Sequence, residues 1–247
     1  MKTYGLIGKT LGHSFSRKFF TDFFAENQLQ GHEYLNFELT DLQREITDLK
    51  KNKNLSGLNI TIPYKTEILS FLDEMTDECR QINACNCIQI KNGRWIGHNT
   101  DLIGFQKTFS PLLKPHHKKA LILGDGGAAG AVKFVLNRLS IPYLIVSRKE
   151  TTAPGFLKYA DISREVIQEY NIIINTTPLG MYPHNDQAPD IPYEFIGKNH
   201  YLYDLIYNPA RTVFLKRGEE KGTVVENGAN MLVIQAEESW KIWNDTL

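Results

Sequence analysis

The sequence has no surplus of charge of either sign: 28 Lys and Arg are matched by 28 Asp and Glu among 247 residues. Proteins that hold nucleic acid or an anionic membrane surface by charge need an excess of Lys and Arg, so no nucleic-acid or membrane partner is expected. A small neutral or anionic ligand fits the balance better. No stretch approaches the roughly 18 apolar residues of a membrane span, and the opening MKTYGLIGKTLGHS lacks the apolar core of a signal peptide, which points to the cytoplasm. Cysteine is scarce. Cys79, Cys85 and Cys87 lie close together without the second pair that a zinc site needs, so buried reduced thiols are expected and no metal. Alternation puts Cys85 and Cys87 on one face of a strand. What is present, 42% apolar and 23% charged residues, is the composition of a globular protein of one large or two ordinary domains.

The hydrophobic period switches repeatedly between two and 3.6. It predicts a strand over 1–8, a helix over 14–27, a strand over 34–38, a helix over 41–51, a strand over 58–62 and a helix from Lys65 onward. Residues 87–98 read as a hairpin turning at Asn92-Gly93, a favoured type I′ pair. A helix from Asp101 towards Leu113 runs into LKPHHKK, a polar stretch with the look of a domain boundary. Beyond it the pattern restarts: strand 120–124, helix 128–139, strand 143–147, then strands 172–176, 201–205 and 223–225, and a last helix 231–243. Strand, helix, strand within this span is a βαβ unit and implies a parallel sheet. The segment from Lys149 to Tyr170 is short for a full crossover, so a helix could be missing there.

Gly124-Asp125-Gly126-Gly127-Ala128-Ala129 follows the ALIL strand directly and opens a helix, the context the dinucleotide fingerprint requires. Gly124 permits the tight turn, Gly126 lets backbone approach a pyrophosphate, and Ala129 packs helix on strand. Phosphates would then sit on the N–H groups that open the helix. Asp125 is out of place beside a pyrophosphate unless it points to solvent or caps the helix. The next strand ends in Ser147-Arg148-Lys149, a hydroxyl and two cations where an NAD site carries Asp or Glu, and this trio suits the 2′-phosphate of NADP.

The chemistry must come from polar residues elsewhere. Ser14 and Ser16 sit at a strand-to-helix turn, where one could cap the helix or both could donate to a carboxylate. Thr61 and Lys65 flank Pro63 at a strand end, Asn86 lies in NACNC, and Asp101 follows Asn99-Thr100 as either a helix cap or a functional acid.

Taken in order, these segments resemble the shikimate dehydrogenase family over nearly the whole chain. GKTLGHSFS is similar to its G-x-x-x-x-H-S-x-S, which implies that Ser14 and Ser16 hold the substrate carboxylate. NITIPYK resembles N-x-T-x-P-x-K, making Thr61 a substrate contact and Lys65 the catalytic lysine. The resemblance makes Asn86 a ligand of a ring hydroxyl and Asp101, in GHNTD, the partner of Lys65. GDGGAA and SRK stand for the family's glycine loop and its N-R-T, which implies NADP contacts from Gly124, Gly126, Gly127, Ala128, Ala129, Ser147, Arg148 and Lys149. Asn175-Thr176-Thr177 and Gly180-Met181 resemble the stretch beside the nicotinamide. In YDLIYNPARTVFL Tyr207 would reach the substrate carboxylate; in NGANMLVIQ Gln235 would meet a substrate hydroxyl, with Gly228 and Met231 on the cofactor side. Departures are Arg17 where proline is frequent, Asp125, Ser147 and Lys149 in the cofactor motifs, and Asn227 and Asn230 before Met231.

The resemblance implies a two-domain α/β chain that reduces 3-dehydroshikimate with NADPH, in the pathway to chorismate and the aromatic amino acids, as a monomer or homodimer. Residues 1–100 would form the substrate domain, 101–225 a Rossmann-like NADP domain, and 226–247 a C-terminal helix returning to the first. On that division the substrate parts carry 13 Lys and Arg against 16 Asp and Glu, and the cofactor part 15 against 12. The basic part would take the polyphosphate ligand. A methylenetetrahydrofolate dehydrogenase accounts for the glycine loop but not for Ser14, Ser16, Tyr207 or Gln235. Two alternatives stay open at this level: a quinate/shikimate dehydrogenase with relaxed substrate or cofactor choice, and a non-catalytic NADP-binding regulator.

Overall fold

The computed structural model describes residues 1–12, 14–148 and 153–246. Its contacts divide the chain into two compact units, Met1–Thr100 with Gln235–Leu247, and Asp101–Ile234. LKPHHKK therefore lies inside the second unit. Residues 226–234 also belong there, and the return to the first unit begins at Gln235.

The first unit contains β1 (Lys2–Gly8), α1 (Phe15–Glu26), β2 (His32–Glu38), α2 (Leu42–Lys50), β3 (Leu55–Ile60), β4 (Glu74–Met75), α3 (Asp77–Ile82), β5 (Cys87–Lys91) and β6 (Arg94–His98). They form a six-stranded mixed sheet in the order β2-β1-β3-β5-β6-β4. Strand β1 runs parallel to β2 and β3, and the β5–β6 hairpin turns at Asn92 and Gly93, both at positive φ. Alternation along β1 sends Tyr4 and Leu6 into a core with Phe20, Phe24 and Trp243, and Ile7 into the opposite core with Leu42, Ile46, Leu58 and Trp95. Each such buried side chain contributes roughly 1.5–3 kcal/mol.

Two expectations fail here. No α-helix starts at Lys65: a turn is followed by a short 3-10 helix over Glu67–Phe71. The Lys65 carbonyl accepts from the N–H of Cys85 at 2.7 Å, so the oxygen that would continue an α-helix is committed to a tertiary bond. Cys85 and Cys87 do not share a face either. Cys85 precedes β5 and joins the core of Ile7, whereas Cys87 opens β5 and joins that of Tyr4. All three thiols are buried and unbridged.

The second unit contains α4 (Asp101–Phe109), β7 (Ala120–Leu123), α5 (Gly127–Arg138), β8 (Tyr143–Ser147), β9 (Phe156–Lys158), α6 (Arg164–Glu169), β10 (Ile172–Asn175), β11 (Tyr201–Asp204), α7 (Val213–Glu219) and β12 (Val224–Glu226). Helix α8 (Ala229–Trp243) starts in this unit and ends in the first. The six strands are all parallel in the order β12-β11-β10-β7-β8-β9. This is the doubly wound arrangement, with its reversal point between β7 and β10. Strands β7, β10 and β11 are buried throughout, which explains why their apolar residues follow one another without alternation up to Asn175 and Asp204 at the ends of the last two. Between β8 and β10 stand the three-residue β9 and the six-residue α6, so a shortened crossover helix is present after β9. Among the described residues no helix is long and apolar enough to cross a membrane.

Candidate active site

In the first unit the polar residues converge on Asn86, which is buried. Its Nδ2 donates to Thr100 Oγ1 at 3.0 Å and to Gln235 Oε1 at 3.1 Å, and its Oδ1 accepts the Thr100 N–H at 2.6 Å. Asn59 Nδ2 donates to the Asn86 carbonyl and to Ser239 Oγ, while Asn59 Oδ1 accepts from the Tyr34 hydroxyl at 2.9 Å. Burial pushes the Tyr34 phenol well above its usual range, with a hydrogen bond from Ser16 opposing. The two serines thus differ. Ser14 caps α1, its Oγ accepting from the Arg17 N–H at 3.2 Å, a bond that proline at position 17 could not make. Ser16 stands by the Tyr34 phenol instead.

The network draws Asn86 and Gln235 together across 149 positions of sequence. Asn59, Thr100 and Ser239 support it, and the sequence assigned none of them a role. Ser239 carries one usable signal, its place four residues after Gln235 on the same helical face, where its hydroxyl bonds the Gln235 carbonyl at 2.8 Å. Thr61 and Lys65 belong to the turn after β3: the Thr61 N–H bonds the Ile7 carbonyl, the Tyr64 hydroxyl donates to the Leu39 carbonyl at 2.6 Å, and Lys65 is half-buried. His13 of the opening motif lies outside the described residues.

In the second unit the strands end where a ligand can be held. Gly124 has φ +99°, and a Cβ there would lie 2.9 Å from Thr177 Cγ2 and 3.1 Å from Thr176 Oγ1, so only glycine closes this turn. Thr176 Oγ1 donates to the Leu123 carbonyl at 2.8 Å, which ties β10 to the loop. At Gly126 and Gly127 an added Cβ would meet no atom within 4 Å, and no side chain caps α5. Open space above uncapped N–H groups is what the phosphates of a dinucleotide require, so the chain fits such a group. Ala128 stands at the mouth and Ala129 is fully buried against the strand. Ser147 is buried at the end of β8 and Arg148 beside it is exposed, while Lys149 lies outside the described residues. Asp125 does not cap the helix, since Gly126 is its N-cap; its carboxylate instead accepts from Lys133 Nζ at 3.0 Å.

Asp101 opens α4 and is buried. Tyr207 is 40% exposed on the turn after β11. Met231 is buried against Gly104, and Gly228 faces the Leu205 carbonyl so closely that a Cβ would lie 2.1 Å from it. Asn227 serves this corner by accepting the Ala229 N–H at 2.9 Å and donating to the Ala210 carbonyl, so this departure from the family pattern still ties down the first N–H of α8.

Under the Tyr207 turn lies Asp204, whose carboxylate accepts from Thr212 Oγ1 at 2.6 Å, Asn175 Nδ2 at 3.0 Å and the Ile206 N–H at 3.1 Å. Burial pushes its carboxyl up to about 6, against the opposing pull of these three donors. A folded value above the unfolded one means that this group's contribution is complete below about pH 4 and is lost as pH rises through about 6. Asp204→Asn should remove that dependence, worth about 3 kcal/mol. Urea midpoints from pH 4 to 7 measure it, and equal slopes in both proteins would contradict the assignment.

The family model for the shikimate dehydrogenase substrate binding domain matches residues 6–88. A shikimate dehydrogenase (NADP(+)) from Caldicellulosiruptor bescii is 38% identical over 260 residues, covering 99% of this chain and 90% of that protein. The chorismate mutase/shikimate 5-dehydrogenase fusion protein from Clostridium acetobutylicum superposes with a TM-score of 0.87 at 36% identity, covering 99% of this chain and 92% of that one. Shikimate 5-dehydrogenase from Thermus thermophilus, solved in complex with NADP(H) and shikimate, gives 0.86 at 27% identity over 100% and 94% of the two chains. A doubly wound sheet with a glycine loop at its reversal point, joined to a full-length likeness of this extent, shows that the chain belongs to the shikimate dehydrogenase family.

Proposed function

We propose that the protein catalyses the reversible NADPH-dependent reduction of 3-dehydroshikimate to shikimate, in the route to chorismate and the aromatic amino acids. The observation that carries this reading is the likeness to a shikimate dehydrogenase (NADP(+)) over 99% of the chain. Residues 1–100 with 235–247 serve as the substrate domain and 101–234 as the NADP domain.

When bound, NADPH supplies the hydride for the ring ketone carbon. Gly124, Gly126, Gly127 and Ala128 would hold its pyrophosphate at the start of α5 with Ala129 packing the helix behind them, Ser147, Arg148 and Lys149 would meet its 2′-phosphate, and Thr176, Gly228 and Met231 would line the nicotinamide side. Lys65 gives a proton to the ketone oxygen in reduction and takes it back in oxidation, with Asp101 orienting its ammonium. Ser14, Ser16 and Tyr207 bind the substrate carboxylate, and Thr61, Asn86 and Gln235 its ring hydroxyls. The support for Asn86 and Gln235 is their mutual hydrogen bond, which presents both amides at one place. These neutral donors position the ring without a full countercharge, and positioning lowers the barrier by several kcal/mol. The three unbridged thiols agree with a reducing compartment, and we assign the enzyme to the cytosol.

Expression in a bacterium lacking its own shikimate dehydrogenase should restore growth without aromatic amino acids; no growth despite folded protein would refute the reading. Arg148→Ala should raise KM for NADP about tenfold or more while leaving NAD unaffected, because a charged hydrogen bond to phosphate contributes roughly 1.5–3 kcal/mol. Equal effects on both cofactors, measured by initial rates, would place Arg148 elsewhere.

A further inference from the structure

We propose that Lys133 sets the cofactor affinity of the glycine loop by holding the Asp125 carboxylate in an ion pair, so that the loop shows the phosphates of NADPH no unpaired negative charge. The inference rests on the reading of this loop as the NADP site. Asp125 lies between Gly124, which makes the turn, and Gly126, which caps α5. The first turn of α5 contains no acidic residue, so Asp125 is the carboxylate nearest in sequence to the open cradle. A bare carboxylate a few ångströms from a pyrophosphate opposes its binding, since like charges at that range repel appreciably even in partly solvated surroundings.

Lys133 lies on the body of α5, and helical side chains lean toward the N-terminus, so its stem runs back along the helix to the loop. Its Nζ stands 3.0 Å from Asp125 Oδ1 in a pair that stays open to solvent, so salt screens it. Lysine at this place thus compensates the departure at Asp125, and the two residues form one unit: the acid is tolerated in the loop because the base is present on the helix. Lys133 is a positioning residue here, acting on the cofactor through Asp125.

The test is a fluorescence titration of the cofactor-free enzyme with NADPH, for the wild type, K133A, K133R, D125A and the double variant. Alanine is a good helix former, so K133A should fold, and K133R keeps the pair should it not. K133A should weaken NADPH binding about tenfold, more at low salt than at high salt. K133R should bind like the wild type, and adding D125A to K133A should restore the affinity. A K133A affinity equal to that of the wild type would overturn the inference alone. A K133A loss that persisted in the D125A background would also overturn it, because Lys133 would then meet a phosphate directly. Wild-type protein that bound no NADPH would overturn the cofactor reading and this inference with it.

Discussion

Lys65→Ala should lower kcat by about a thousandfold and leave KM for shikimate within a few-fold, because a positioned acid or base contributes typically a hundred- to ten-thousandfold. The turn that carries the lysine is held through its backbone. The Lys65 carbonyl is held by the Cys85 N–H at 2.7 Å, and the neighbouring Tyr64 is anchored through its hydroxyl to the Leu39 carbonyl. Truncation therefore removes an ammonium and leaves the turn. Binding should survive, since the carboxylate and hydroxyl contacts assigned to Ser14, Ser16, Asn86, Tyr207 and Gln235 are untouched. Steady-state kinetics with both substrates separate the two constants. Turnover at the wild-type rate would remove Lys65 from the chemistry, and a change confined to KM would make it a binding residue.

Gly124→Ala should raise the Kd for NADPH about a hundredfold, the sum of a strained backbone and a displaced loop. A residue with a side chain is disfavoured at φ +99°, and its Cβ would press on Thr177 at 2.9 Å and Thr176 at 3.1 Å. Relief requires moving either the β10 end or the turn before α5. Thr176 resists the first, because its hydroxyl is bonded to the Leu123 carbonyl at 2.8 Å. The turn must then shift, and with it the N–H groups that receive the pyrophosphate. Titration with NADPH beside a thermal melt distinguishes lost affinity from lost fold. Wild-type affinity in a stable Gly124→Ala protein would show that the loop does not hold the cofactor.

The central strands of the second unit were the most legible part of the fold, whereas β9, α6 and α7 were not predicted. Strands β7, β10 and β11 are buried throughout, and glycine and polar residues punctuate the chain between elements, so Tyr143–Ser147 and the start of α5 could be placed within a residue. The hairpin at Asn92-Gly93 was equally plain, since its turn demands residues that accept positive φ. Lys65 misled because the apolar pattern after Pro63 suits a helix, while the bond that prevents it comes from Cys85, far along the chain. Cys85 and Cys87 misled because alternation holds only inside a strand, and β5 begins at Cys87. In the candidate site the motif residues were readable one by one. Their supports were not: Asn59, Ser239 and Lys133 matter through partners that only folding brings near. A polar residue's own identity says little about whether it binds a ligand or positions its neighbour.

The most direct measurement is the initial rate of NADP reduction by the purified enzyme, followed by the absorbance of the reduced nicotinamide, with shikimate and with quinate, each against NADP and NAD. The account predicts rapid turnover with shikimate and NADP and much slower turnover in the other three pairings. No reduction of NADP with shikimate by folded protein would contradict it.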